Sequence, residues 1–293
     1  MQSLRILDAT PVPSLAEHRD LCGYDALASA RAVEPDVLIQ LVTDAGLRGR
    51  GGAGFPTGVK WRTVADNAAG SAIAPVVAVN AAEGEPGTFG DRTLLHQNPY
   101  RVLEGALIAA RAVGASSVIV VTKDRFTVET SRLLGAIEEL EADDCTAGVD
   151  IEVVAAPAHY LLGEETGLLE AAAGRPPFPR IAPPYRHGVT EVGDPTGGAA
   201  QRDLASEGGD VPPTLVNNVE TFAHVPGIVC QGAEWFRELG TPESPGTKVF
   251  TVSGDTEFAG VGEFPLGTPV REIVQTLGGG VAGDADVAFL LSG

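Results

Sequence analysis

Between residues 75 and 173 the chain alternates short apolar runs with helix-period stripes, and no other feature restricts its fold as much. The run Pro75-Val-Val-Ala-Val-Asn80 reads as a strand buried on both faces. A helical stripe follows through Leu95, Val102, Leu103, Ala106, Ala110 and Val113, and a second strand is expected at 118–122. Val128, Leu133, Leu134, Ile137 and Leu140 mark another helix, residues 151–155 a third strand, and 164–173 a short helix. Parallel neighbours need a crossover long enough to hold a helix, so this order implies an α/β layer with a mostly parallel sheet and flanking helices. Helical periodicity returns over 216–239, with Gly240 as its expected C-cap. The α/β domain is therefore expected over 35–241, after an N-terminal extension at 1–34. Beyond it, strands at 248–253 and 261–264, a helix at 270–276 and a third strand at 287–291 suggest a small β-grasp-like domain over 246–293. That pattern runs to the last residue, which leads us to expect a fragment of a longer protein.

Charge narrows the partners. Asp and Glu number 39 against 20 Lys and Arg, a net −19, and no basic tract is present, so a nucleic-acid partner is not expected. Apolar runs stay well below the roughly 20 residues that span a bilayer, so no direct membrane insertion is expected. Residues 1–25 lack the apolar stretch of a secretory leader, which points to the cytoplasm. Cys22, Cys145 and Cys230 lie far apart and read as unpaired thiols, and the five histidines show no metal-ligand spacing. No metal site and no catalytic triad are expected.

The densest signal for binding is Gly46-Leu-Arg-Gly-Arg-Gly-Gly-Ala-Gly-Phe-Pro-Thr-Gly-Val-Lys-Trp61. Glycines such as Gly49, Gly51 and Gly52 let backbone N–H groups approach an anion, and Arg48, Arg50 and Lys60 add positive charge. A phosphate or phosphorylated cofactor fits this chemistry. The Walker order fails, because Lys60 is followed by Trp61, and residues 35–45 read as a helix where a dinucleotide fingerprint needs a strand.

Three further segments carry polar residues. Asn80-Ala-Ala-Glu-Gly-Glu-Pro-Gly-Thr-Phe-Gly-Asp-Arg92 follows the first strand, where Asn80, Glu83 and Glu85 can meet a ligand and Asp91 reads as a helix N-cap. Gly163-Glu-Glu-Thr166 opens the short helix, and Asn217 and Asn218 of Pro213-Thr-Leu-Val-Asn-Asn-Val-Glu-Thr221 read as a helix start.

These four motifs in this order resemble the flavoprotein subunit of NADH-quinone oxidoreductase, the respiratory complex I. Its relatives occur in NAD-reducing hydrogenases and formate dehydrogenases. The resemblance implies an NADH dehydrogenase with an FMN-binding α/β domain followed by a β-grasp-like domain. By resemblance, Gly49, Arg50, Gly51, Gly52 and Lys60 face the flavin phosphate side. Asn80, Glu83, Gly163, Glu164, Asn217, Asn218 and Thr221 complete the pocket, and Phe55, Glu85, Glu165 and Tyr185 lie on the NADH side. The implied reaction is hydride transfer from NADH to FMN, with electrons passing to iron–sulfur redox subunits of a larger complex and on toward quinone. The family's own 4Fe-4S cluster would require a chain continuing past Gly293. The implied location is cytoplasmic, peripheral at the inner membrane face through partner subunits.

The chain departs from the family at Ala82, which stands where an Asp is usual, at Thr63 and Gly90, and at Ala182, where a lysine is usual. Residues 187–211 are also longer and more acidic than usual. Two other readings stay open: an FMN protein with a different electron donor, toward which Ala182 points, and a non-catalytic scaffold.

Overall fold

Four strands, one more than the apolar runs suggested, form a single parallel sheet in the computed structural model, which describes residues 5–23, 25–189, 211–283, 287 and 290–292. They are β1 (Val76–Ala81), β2 (Ser117–Lys123), β3 (Asp150–Ala156) and β4 (Thr214–Asn218), in the spatial order β3-β2-β1-β4. β1 and β2 match the expected runs because both faces are covered, which selects unbroken apolar sequence, whereas β3 lies at the sheet edge, is only partly covered and keeps Glu152 among its apolar residues. Val77, Val79, Val118, Val120 and Leu215 face the larger core, and Val76, Ala78, Ile119, Val121 and Val216 face a smaller one on the other side.

β4 corrects the sequence reading, which merged residues 216–218 into a helix. The run Thr-Leu-Val-Asn-Asn pairs in register with β1, and its first four residues are buried. A five-residue run that passes directly into a helix has no local signal of its own. The helix proper, α9, covers Val219–Arg237, with Asn218 as its N-cap. It ends before Gly240, which sits in a following turn at φ 90°.

On the larger face lie α3 (Pro35–Ala45), α4 (Thr57–Ala69), α6 (Pro99–Val113), α7 (Thr127–Ala142) and α9. The single stripe expected across 95–113 is two helices, α5 (Gly90–Gln97) and α6, separated at Asn98. The Asn98 side chain accepts from Arg101 N–H at 3.3 Å, and Pro99 supplies the fixed φ of a first helical residue. A 3₁₀ turn (Tyr160–Gly163) and α8 (Glu165–Ala172) cover the smaller face.

Residues of the expected N-terminal extension are integral to the packing. Two helices, α1 (Leu15–Cys22) and α2 (Ala26–Arg31), join the larger core through Leu15, Leu27 and Ala30, together with Ile6, Leu7 and Val12.

The small unit is an antiparallel pair, β5 (Thr247–Val252) and β6 (Gly260–Pro265), with α10 (Val270–Gly278). The third strand expected at 287–291 is not formed at the described positions: Val287, Leu290 and Leu291 are exposed and lie outside any strand, while 288 and 289 fall outside the described residues. The pair is tied down by the buried Glu263. Its carboxylate accepts the backbone N–H groups of Arg5, Ile6 and Leu7 at 3.0, 2.9 and 3.0 Å and the Thr247 hydroxyl. The chain start and β6 are thus held by charge-assisted bonds.

Candidate functional site

The chain runs from β1 outward to β2 and β3, then returns to place β4 on the other side of β1. That reversal makes the C-terminal ends of β1 and β4 the switch point at which open parallel sheets bind ligands. Register places Val79 beside Asn217 and Asn80 beside Asn218, so three carboxamides meet at this edge.

The chain itself orients each of them. Asn80 Nδ2 donates to Gly163 O at 3.2 Å, and its Oδ1 accepts from Ala82 N–H at 3.1 Å. Trp61 Nε1 donates to Asn217 Oδ1 at 3.4 Å. Asn218 Oδ1 accepts from Glu220 N–H at 2.8 Å, capping α9, while its Nδ2 donates to Asp91 Oδ2 at 2.6 Å.

The glycine-rich loop links α3 to α4 and closes over this edge. It is pinned at its base, where Gly49 N–H donates to Phe55 O at 2.9 Å and Thr57 N–H to Leu47 O at 2.9 Å. Arg50 N–H donates to Thr221 Oγ1 at 2.9 Å. At the tip, the amides of Gly51, Gly52 and Ala53 have no acceptor among the described residues, and these three residues are exposed. Gly51 rests on Asn218: a Cβ there would lie 3.2 Å from Asn218 Cβ. A row of free, solvent-facing N–H groups beside a fixed carboxamide is suited to an anionic oxygen cluster.

Cations flank the loop. Lys60 Nζ is shared between the Glu165 carboxylate and Val216 O, the latter at 2.9 Å. Arg50 is buried, with one nitrogen bonded to Pro245 O at 3.1 Å and its Nε without a partner among the described residues. Lys248 reaches over from β5 to donate to Arg50 O at 2.8 Å, and Val249 N–H donates to Glu220 Oε1 at 2.8 Å. The small sheet therefore buttresses the loop and the start of α9.

The two glutamates assigned to the flavin side cap helices. Glu83 accepts from Asp91 and Arg92 N–H, both at 3.4 Å, at the start of α5, and pairs with Arg92 Nε at 3.1 Å. Glu164 is the N-cap of α8, accepting from Gly167 N–H at 2.8 Å. The role read for Asp91 is corrected: the N-cap of α5 is Phe89, and Asp91 stands inside the first turn, bonded to Asn218. Burial, then the neighbouring Glu83 and Glu220 carboxylates, push Asp91 up to about 8.

On the outer side, Phe55 is exposed on the glycine-loop hairpin, and Glu85 accepts from Tyr160 OH at 2.8 Å. Tyr185 follows Pro184, whose carbonyl accepts from Thr214 N–H at 2.9 Å at the start of β4, and its side chain packs against the larger core. Three participants were missed by the sequence reading: Tyr160, Lys248 and Lys123, whose ammonium donates to Glu83 O at 2.9 Å. An aromatic three residues before the Gly163-Glu-Glu motif was the available signal for Tyr160. Lys123 and Lys248 come from strands whose placement is non-local. Most of the acidic segment at 187–211 lies outside the described residues. Among the described residues no group of His, Cys, Asp and Glu could hold a metal ion, and no helix is long and apolar enough to cross a membrane.

Residues 42–227 match the family described as the Nuo51 FMN-binding domain. The chain is 36% identical over 290 residues to the F subunit of NADH-quinone oxidoreductase of Aquifex aeolicus, covering 96% of this chain and 63% of that protein. It is 38% identical to the corresponding F subunit of Mycobacterium tuberculosis H37Rv, covering 89% and 57%. It is also 35% identical to the NADP-reducing hydrogenase subunit HndC of Solidesulfovibrio fructosivorans, covering 91% and 52%. Among solved structures, an NAD+-reducing [NiFe]-hydrogenase in the H2-reduced state superposes with a TM-score of 0.74 at 37% identity, covering 95% of this chain and 43% of that one. The chain thus spans between half and two thirds of the length of these curated relatives.

Proposed function

The chain belongs to the Nuo51 FMN-binding domain family, which matches more than half of its residues, and from that premise we propose that it is the flavin-bearing electron-input part of an NADH-oxidising complex. The observation that carries this reading is the row of unpartnered amides at Gly51, Gly52 and Ala53, set against Asn218 at the sheet's switch point. Such a cradle fits a phosphate monoester, and the carboxamides beside it fit a polar heterocycle and its ribityl chain.

In this reading the free amides of Gly51 and Gly52 and the side chains of Arg50 and Lys60 hold the phosphate side, with Gly49 fixing the base of the loop. Asn80, Asn217, Asn218, Thr221 and Gly163 line the pocket, and Glu83 and Glu164 fix the helix starts that frame it. Phe55, Glu85, Tyr160 and Glu165 serve the NADH side, with Tyr185 beside the start of β4 on the same side. Bound FMN supplies hydride acceptance from NADH and one-electron release to iron–sulfur partner subunits toward quinone. The protein's share is to orient rings and exclude other chemistry, so no general base is required. Residues 35–241 act as the cofactor unit and 246–293 as the small-sheet unit that braces it. Membrane association, at the inner face, runs through the partner subunits.

A second reading keeps FMN and changes the donor. It is favoured by Ala182, an exposed alanine that offers no cation to a dinucleotide pyrophosphate. The test uses the full 293-residue chain reconstituted with FMN and mixed with NADH without oxygen. The flavin band is expected to bleach. A band bleached only by dithionite supports the second reading, and a folded chain that takes up no FMN contradicts both.

A further inference from the structure

One hydrogen bond at the switch point joins elements far apart in sequence and is not explained by helix capping. Asn218, at the end of β4, donates from Nδ2 to Asp91 Oδ2 at 2.6 Å, across 127 residues. The other half of the same carboxamide is committed to Glu220 N–H, so Asp91 decides the rotation of the Asn218 side chain. A Cβ at Gly51 would lie 3.2 Å from Asn218 Cβ and 3.8 Å from its Nδ2, so the loop tip runs close over that side chain. The free amides of the loop tip therefore stand on a surface whose far support is Asp91.

We propose that Asp91 is a positioning residue of the cofactor site, which fixes the Asn218 carboxamide and through it the wall on which the glycine loop rests. This rests on the flavin reading above. Asp91 also makes the site sensitive to pH. The charged groups around it are Glu83 from the segment after β1, Glu220 from α9, Lys248 from β5 and, on its own helix, Arg92, which is already paired with Glu83. Burial and the two carboxylates outweigh Lys248 and the Asn218 bond, so the carboxyl group holds its proton up to about pH 8. Below that value Asp91 is neutral and accepts from Asn218 without adding charge. Above it, a third carboxylate appears behind a loop that must receive a phosphate dianion, and affinity falls.

The experiment titrates FMN into the apo form of the full chain by fluorescence quenching, for wild type, Asp91→Asn and Asp91→Ala, with a thermal melt of each. Wild-type Kd is expected to rise by about tenfold between about pH 7 and about pH 9.5, since ionisation and binding are linked. Asp91→Asn keeps a neutral acceptor that cannot ionise, so its Kd stays flat across the same range. Asp91→Ala, which also lacks the ionising group, has at both pH values a Kd about tenfold above that of wild type at about pH 7, the loss expected for one hydrogen bond that orients a binding group. If wild type and Asp91→Asn share one pH profile, the inference is overturned, whether or not Asp91→Ala folds. Asp91→Ala binding as tightly as wild type at about pH 7 also overturns it. If folded wild type binds no FMN at either pH, the flavin reading itself fails and takes the inference with it.

Discussion

A Gly51→Asp chain binds FMN about a hundredfold more weakly than wild type while melting within a few degrees of it. Two effects act together. Any Cβ at position 51 would press on Asn218 Cβ at 3.2 Å, displacing either the loop or the carboxamide. The new carboxylate would also sit beside the amides meant for the phosphate and compete for them. Charge-assisted hydrogen bonds contribute about 1.5–3 kcal/mol each, so losing even one strong phosphate contact and adding repulsion reaches two decades in Kd. The stability change is small because residues 51–53 are exposed and contribute nothing to either core. FMN fluorescence quenching together with a thermal melt separates the two effects. A variant that binds like wild type would place the phosphate elsewhere.

Gly105→Ala has the opposite signature, a large loss of stability. Alanine in place of glycine inside a helix ordinarily stabilises by about 1 kcal/mol. In α6, however, a Cβ at residue 105 would lie 2.0 Å from Phe222 O and 2.7 Å from Phe222 C, both backbone atoms of α9. Neither helix can yield cheaply, because each packs in the larger core and Phe222 is fully buried. Forcing them apart costs more than the helix propensity returns, and a net loss of about 2–3 kcal/mol is expected. For a protein of this size that lowers Tm by about 3–5 °C, measurable by calorimetry. An unchanged or raised Tm would mean that α6 and α9 are not in backbone contact.

Legibility in the sequence followed the range of the interactions involved. β1 and β2 were readable because burial on both faces leaves an unbroken apolar run, and the edge strand β3 through its Ile-Glu-Val-Val alternation of β-branched residues. β4 was not, since its five residues gain their meaning only from pairing with β1, 138 positions earlier at Val76↔Thr214. The division between α5 and α6 was written locally in Asn98-Pro99, a cap followed by a first-turn proline, and the long apolar stripe obscured it. Residues 5–34 gave little periodicity in so short a stretch, yet Ile6, Leu7 and Leu15 complete the larger core. At the site, the glycine loop and the paired asparagines declare themselves by residue type. The positions of Asp91, Lys123 and Lys248 follow from tertiary geometry, and residue type alone assigned Asp91 to the wrong task.

In the proposed reading the glycine loop and the C-terminal ends of β1 and β4 form one cofactor cradle. Amide hydrogen exchange of the full chain, with and without saturating FMN, tests it most directly. Gly51, Gly52 and Ala53 have no acceptor among the described residues, so in the free chain their amides exchange fast. FMN is expected to slow exchange in peptides covering 46–60 and 214–221, and to leave those covering the outer strand β3 unchanged. Exchange at 46–60 that is indifferent to FMN, in a chain shown to have bound it, would contradict the single cradle.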